Sequence, residues 1–324
     1  MRHRACVFAV AAVCAAVAHD PAAAQSYPSK PVHIVVGFGP GGPTDTIARL
    51  YGAHLGGILS QPVIVENKPG AGSNLGADQV AKSAPDGHTL FVGGMGPLAI
   101  NDALYASLAF SPERDFTPVA ILARTPLVMA VNKELPAASV KDFVAYAKAQ
   151  KGKINHSSPG VGSSPQLAEE MFRTVAGFDS THVPYRSGPL MLEAVMKGEV
   201  QWTIDVPLTT MPQHKSGTVR ALAMTSPQRW AAYPDIPAMA EVGFPDVTIF
   251  AWFALAAPAG TPAAVVARLN AEAVKALTTE AAKQRLANIG FEPVPMSPAE
   301  TAAYIAAERK RWTAVARAHN IKVE

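Results

Sequence analysis

Cysteine is almost missing from this chain: its 324 residues include two, Cys6 and Cys14, both near the start. Long apolar runs are equally scarce. The one candidate is the 14-residue stretch "ACVFAVAAVCAAVA", too short for a bilayer span, which takes roughly 20 residues. It follows the basic "MRHR" and leads to the small residues "AAA" before Gln25, the three-part pattern of a secretory signal peptide. The pattern predicts that residues 1–24 are cleaved off after Ala24 and that the remainder is exported. Both cysteines leave with that segment, so the mature chain is expected to form no disulfide and to offer no thiolate to a metal. Val13 stands where lipid attachment at Cys14 would need a small residue. An excess of one charge is also lacking: the net charge is +3, and +2 once Arg2, Arg4 and Asp20 are removed. Without a Lys/Arg block there is no footprint for nucleic acid. No ATPase motif occurs, so any uptake would draw its energy from a partner.

What is present is an alternation of strand-like runs and amphipathic helices. "VHIVVGF" precedes "PTDTIARLYGAHLGGIL", "PVIVEN" precedes "NLGADQVAKSA", and "HTLFVGG" precedes "GPLAINDALY", an order that predicts parallel strands joined by helical crossovers. A second set follows: "VKDFVAYAKAQ", "KINHSS", "PQLAEEMFRTVAG", "HVPY", "LMLEAVMKG", "VQWTIDV" and "VRALAMTS". Two long extended stretches, "PVAILARTPLVMAVN" and "VTIFAWFALAAPAG", flank that set, and two helical patterns close the chain. The expected architecture is α/β with two lobes and two crossover strands. Residues 25–124 plus 249–324 would form lobe 1, and 125–248 lobe 2.

The turn "GFGPGG" has the Gly37-x-Gly39-x-x-Gly42 spacing of a dinucleotide site, with Glu66 at a tolerable distance for a ribose. Pro40 and Pro43 argue against that reading, because they remove two N–H groups from a turn that should cradle phosphate. An exported protein would also meet little NAD. A simpler function survives: a strand delivers a glycine-rich loop to a helix N-terminus, where unpaired N–H groups and the helix dipole favour an anion. Pro43 suits the first helical turn, and Thr44 and Asp45 can cap or orient it. "NHSSPGVGSSPQLAEEMF" repeats the design, with Ser164 as the expected N-cap. One such loop per lobe implies a cleft that closes on a ligand bearing at least one carboxylate.

Asp205, ending "VQWTID", could accept a hydrogen bond from a ligand hydroxyl or ammonium, or could cap the next turn; facing an anion it would be repulsive. Arg186 could steer anions or be a solvated surface side chain. The mature histidines have no metal-ligand spacing, and neither cofactor nor metal is expected. His156 beside Ser157 has no nucleophile elbow or oxyanion arrangement, and neighbours on a strand face opposite ways, which disfavours a hydrolase.

Over almost its whole mature length the chain resembles the solute-binding proteins of tripartite tricarboxylate transporters, the Bug family. The resemblance rests on "YPSKPVHIVVGFGPGGPTDTIAR", "QPVIVENKPGAGSNLGADQVAKSAPDGHTL", "INDALY", "SSPGVGSSPQLAEEMF", "VPYRS", "VRALAMTS", "PDIPAMAEVG" and "APAGTP". It implies a periplasmic, two-lobed fold of the type II, Venus-flytrap kind that captures small carboxylates and presents them to large and small membrane subunits, with a monomer as the default. It also implies that loops 37–45, 93–97 and 157–164 line the cleft. The ligand-binding residues expected on this basis are Phe38, Gly39, Gly41, Gly42, Thr44, Asp45, Gly94, Met95, Ser158, Gly160, Gly162, Ser163 and Ser164, with Asp205 beside them.

Three departures from the family pattern bear on the ligand. Gly37 replaces a frequent proline, "GGMGPLAIN" has lost hydroxyls, and "TIDV" lacks the Asn that often follows the Asp. Met95 and Trp252 could form an apolar wall favouring a carboxylate with an apolar or aromatic body over citrate, or could be ordinary core. A periplasmic sensor using the same cleft, and more remotely a small-acid hydrolase, are the alternatives to a transport receptor.

Overall fold

The computed structural model describes residues 27–318 and 321–322. The expected signal segment, its cleavage site and both cysteines lie outside the described residues. The elements in chain order are β1 (Val32–Val36), α1 (Pro43–Ile58), β2 (Val63–Asn67), α2 (Asn74–Ala81), β3 (Thr89–Gly93), α3 (Asn101–Leu104), β4 (Phe116–Pro126), β5 (Val128–Asn132) and α4 (Val140–Gln150). They continue with β6 (Asn155–Ser158), α5 (Ser164–Ala176), β7 (Thr181–Pro184), α6 (Gly188–Lys197), β8 (Trp202–Asp205), α7 (Pro207–Lys215), β9 (Val219–Met224), β10 (Phe250–Pro258), α8 (Ala263–Thr278), α9 (Glu280–Asn288) and α10 (Pro298–Ala318).

Two five-stranded sheets result, in the orders β2-β1-β3-β10-β4 and β7-β6-β8-β5-β9. β1 runs parallel to both β2 and β3, as the strand–helix alternation requires, and the returning strand β10 is antiparallel to β3 and β4. β1 is covered on both faces, which is why "VHIVV" reads as a nearly continuous apolar run and not as an alternating one. The second sheet is built alike, with β6 parallel to β7 and β8, and β5 antiparallel to β8 and β9.

The few aromatic residues are concentrated in the cores. Trp202 is fully buried in the second unit, with ring centroids of Phe143, Phe172 and Phe178 at 5.4, 5.9 and 5.6 Å. Its indole N–H donates to the Ser180 hydroxyl at 3.1 Å, so the polar edge of the ring is satisfied as well.

Each long extended stretch read from the sequence divides where the chain changes sheets. β4 and β5 are separated by Leu127 alone, and Val247 to Ile249 precede β10 as the return crossover. Thr225, fully buried after β9, ties the two crossings together. Its hydroxyl accepts from Leu127 N at 2.8 Å and donates to Ile249 O at 2.7 Å, while its own N–H donates to Leu127 O at 2.8 Å.

Three local expectations change. The helix read over 96–105 is a wide π-type turn, Gly96–Ile100, running into the short α3. α7 and α9 have no counterpart in the reading: α7 carries Pro212 inside a polar segment, and α9 restarts at Thr279, whose side chain accepts from Ala282 N, immediately after α8. The cap of α5 is Ser163, whose side chain accepts from Gln166 N, one residue before the expected Ser164.

Thr225→Val removes the hydroxyl shared by the two crossovers and leaves Leu127 N–H and Ile249 C=O without that partner. We expect a loss of about 1–3 kcal/mol in unfolding free energy, read by urea denaturation, with Thr225→Ser restoring most of it.

Candidate functional site

At the end of β1 the chain turns through Gly37 because Ser73 occupies the place of a side chain: a Cβ on Gly37 would fall 1.8 Å from the Ser73 hydroxyl. The following loop is held from behind by Asp45, which is 4% exposed. The Asp45 carboxylate accepts from Gly41 N, Arg49 Nε and Asn67 Nδ2, each at 3.0 Å, and Asn67 also donates to Phe38 O at 2.9 Å. Burial by itself would raise the Asp45 carboxyl, but the bonds from Arg49, Gly41 and Asn67 outweigh it and hold the group below its ordinary value. Gly42 caps α1 without a side-chain bond, and Pro43 opens the helix. The next amides of the first turn are thereby left free for a ligand.

The second loop is tied in the same manner. The Ser163 hydroxyl donates to Gly160 O at 2.6 Å, Gly162 N donates to Gln166 Oε1 at 3.0 Å, and the Ser158 hydroxyl lies 2.7 Å from His182 Nε2. Three further helical starts converge on the same space. The turn at Gly96, α6 at Gly188 and α7 at Pro207 each carry proline in the first or second helical position, as α1 and α5 do.

These five starts surround a cavity of about 640 Å3, measured with its mouth. It is lined by Phe38, Gly39, Gly42, Thr44, Gly94, Met95, Gly162, Ser163, Ser164 and Asp205 from the expected set. Gly41, Asp45, Ser158 and Gly160 are not on its wall. Their backbone and side-chain bonds are spent on loop shape, so they position the lining without touching its contents.

Gly72, Ser187, Gly188, Val206 and Phe253 line the wall and were missed by the sequence reading, while Gly96 lies in the expected loop 93–97. A signal for most of them was present in the repeated tripeptides "GGP", "MGP", "SSP", "SGP" and "DVP", each opening a helix at the cavity. Glycine at two of these places is a steric requirement. A Cβ on Gly72 would meet Val161 O at 2.3 Å, and one on Gly162 would meet Asn101 Oδ1 at 2.1 Å. The loops of the two sheets touch backbone to backbone at Gly72 and backbone to the Asn101 side chain at Gly162, and Gly39 N reaches Arg186 O at 3.4 Å on the other flank.

Among the described residues no lysine, arginine or histidine lines the cavity, and the one ionisable lining residue is Asp205. The carboxyl is 1% exposed, and burial, only partly offset by hydrogen bonds from Thr209 and Val206 N, pushes it up to about 6. Thr44, Ser163, Ser164 and Ser187 are the hydroxyl-bearing residues of the lining.

Met95 and Trp252 are both on the wall, each 1% exposed. The Trp252 indole N–H is engaged by Glu308 Oε2 at 3.2 Å and its ring packs edge-on against Tyr304, so its polar edge serves the fold. Glu66 accepts from or pairs with His33 Nδ1 at 2.6 Å and is not on the wall, which removes the ribose partner of the dinucleotide reading. His156 bonds Ser180 and the Ser157 hydroxyl is buried; neither reaches the cavity. Arg186 is exposed on the rim. Among the described residues no group of three or more His, Cys, Asp and Glu side chains could hold a metal ion, and no helix is long and apolar enough to cross a membrane.

Two α/β sheets joined by crossovers, with helix N-termini turned toward a shared cleft, define a periplasmic-binding-protein fold. The chain belongs to the tripartite tricarboxylate transporter family receptors, the TctC or Bug solute-binding proteins, whose pattern matches residues 47–321. Protein BugT of Bordetella pertussis is 35% identical over 306 residues, covering 94% of each chain. Among solved structures, an R. palustris protein with adipate superposes with a TM-score of 0.89 at 35% identity, over 91% of this chain and 99% of that one. MatC from Rhodopseudomonas palustris with bound malate gives 0.85 at 35% identity, over 89% of this chain and 99% of that one.

Because the folded state holds Asp45 ionised below its unfolded value, roughly 3.9, its contribution is complete above that pH and lost as pH falls through the folded value. Asp45→Asn should therefore be less stable than the parent at pH 7, by roughly 1–3 kcal/mol, with the gap closing toward pH 3 in parallel urea titrations.

Proposed function

We propose that the chain is an exported periplasmic receptor that captures a small carboxylate between its two sheets and delivers it to the large and small membrane subunits of a tripartite tricarboxylate transporter. The observation that carries this reading is the convergence of five proline-started helical N-termini on one cavity without a basic side chain. Amides and helix dipoles of that kind hold a carboxylate without the desolvation cost of a buried arginine. The adipate and malate carried by the two R. palustris relatives support the ligand class.

The lobes of this receptor are residues 25–124 with 249–324 and residues 125–248, a division supported by sheet membership. Ligand would favour the closed arrangement by adding contacts from both loops at once. Phe38, Met95 and Phe253 give the wall an apolar side, which supports a carboxylate with an apolar or aromatic body over citrate. The chain acts as a monomer without cofactor, nucleic acid or catalytic turnover, and residues 1–24 are removed on export.

Thermal unfolding of residues 25–324, refolded to shed any carried ligand, tests the reading. The panel is C4 to C6 dicarboxylates, citrate, acidic amino acids, nicotinate, aromatic carboxylates and NAD. A bound acid at about 1,000 times its dissociation constant adds roughly 4 kcal/mol, which raises the midpoint by several degrees in a chain of this size. One acid or one close series should stand out. A shift with NAD alone, or chemical turnover of the bound acid, would overturn the proposal.

A further inference from the structure

Among the described residues Asp205 is the one ionisable residue lining the cavity, whose other lining residues are glycine, proline, serine, threonine and apolar residues. It sits between the starts of α6 and α7, at the end of β8. Its local bonds are to the start of α7, from the Thr209 hydroxyl on Oδ2 and from Val206 N, while α7 has no side-chain cap at Val206 itself. Gly188 stands close by, where a Cβ would lie in ordinary contact, 3.6 Å, with that same oxygen. No cation among the lining residues balances it.

A buried carboxylate in such surroundings repels a second carboxylate and attracts a hydrogen-bond donor. Against a plain dicarboxylate, Asp205 is a liability. Against an acid that also carries a hydroxyl or ammonium group, it is a buried acceptor, and charge-assisted hydrogen bonds are strong. Such a site also discriminates against the analogue lacking the donor, which forgoes that added bond to a buried charged acceptor. We infer that Asp205 is a specificity-determining residue, which makes the receptor select carboxylates bearing a hydroxyl or ammonium donor over the same skeleton without one. The inference rests on the receptor reading and narrows its ligand class.

Matched acids test it by isothermal titration on the refolded mature chain: succinate, malate and aspartate; adipate, 2-hydroxyadipate and 2-aminoadipate; phenylacetate, mandelate and phenylglycine. In the skeleton series that binds, the hydroxy or amino acid should bind roughly ten- to hundredfold more tightly than its parent, the range for a hydrogen bond to a charged group. The hydroxy and amino arms distinguish the two donors. In Asp205→Asn the preference should shrink to a few-fold or less, chiefly through tighter binding of the parent acid. Equal affinities within the binding series of the natural protein, or an unchanged ratio in the folded variant, would overturn the inference while leaving the receptor reading intact. If no series binds the natural protein, this inference fails, while the receptor reading stands or falls by its own wider panel.

Discussion

The structure depends on one consequence of chain geometry: a helix that follows a parallel strand begins at the strand's carboxyl end, with its unpaired amides pointing beyond the sheet. Both sheets here obey it, and they are joined so that those ends face a common space. β1 delivers α1 and β6 delivers α5, while β8 delivers α7. The cavity is thus a by-product of topology before any side chain is chosen. Proline at the first helical positions sharpens each start without sacrificing an intrahelical bond.

The charged residues are arranged around that constraint. Asp45 and Arg49 neutralise one another behind the first loop, and Gln166 performs the equivalent task behind the second without a charge. The cavity wall consists of glycine, proline, hydroxyl-bearing and apolar residues, with Asp205 as the exception among the described residues. Glycine recurs where the loops of the two sheets come into contact, because backbone meets backbone there. A larger residue would hold the sheets apart and leave the amides of one loop out of reach of a ligand held by the other.

The joining of the sheets is as economical as the site. The crossings at Leu127 and Ile249 share a single buried hydroxyl, that of Thr225, so the two strands that leave one sheet for the other are tied at one point. The C-terminal segment adds a second tie, since the Thr125 hydroxyl donates to Gly290 O at 2.7 Å and Arg124 pairs by backbone with Glu292. The aromatic packing gathers around Trp202 in one unit and around Phe91 and Phe116 in the other, within one continuous buried cluster.

Much of this was legible in the amino-acid order. Alternating runs such as "VHIVVGF" and "PTDTIARLYGAHLGGIL" define parallel strands and their helices because period and burial are local properties, and both anion loops follow from glycine, serine and proline at helix starts. α7 was hidden because Pro212 and a polar composition imitate a loop, and the cap of α5 moved to Ser163 because adjacent serines offer the same chemistry. Only the tertiary structure could separate lining from support. Asp45 and Ser158 belong to the same loops as Thr44 and Ser164, yet their hydrogen bonds turn them away from the cavity. Likewise Ser187, Gly188 and Val206 join the site only because the second sheet brings β7 and β8 to the same edge. Sequence by itself determined the elements, the two-lobed order and the chemistry of each turn, since these depend on neighbours in the chain. Which turns meet around one ligand was decided by packing between residues far apart in it.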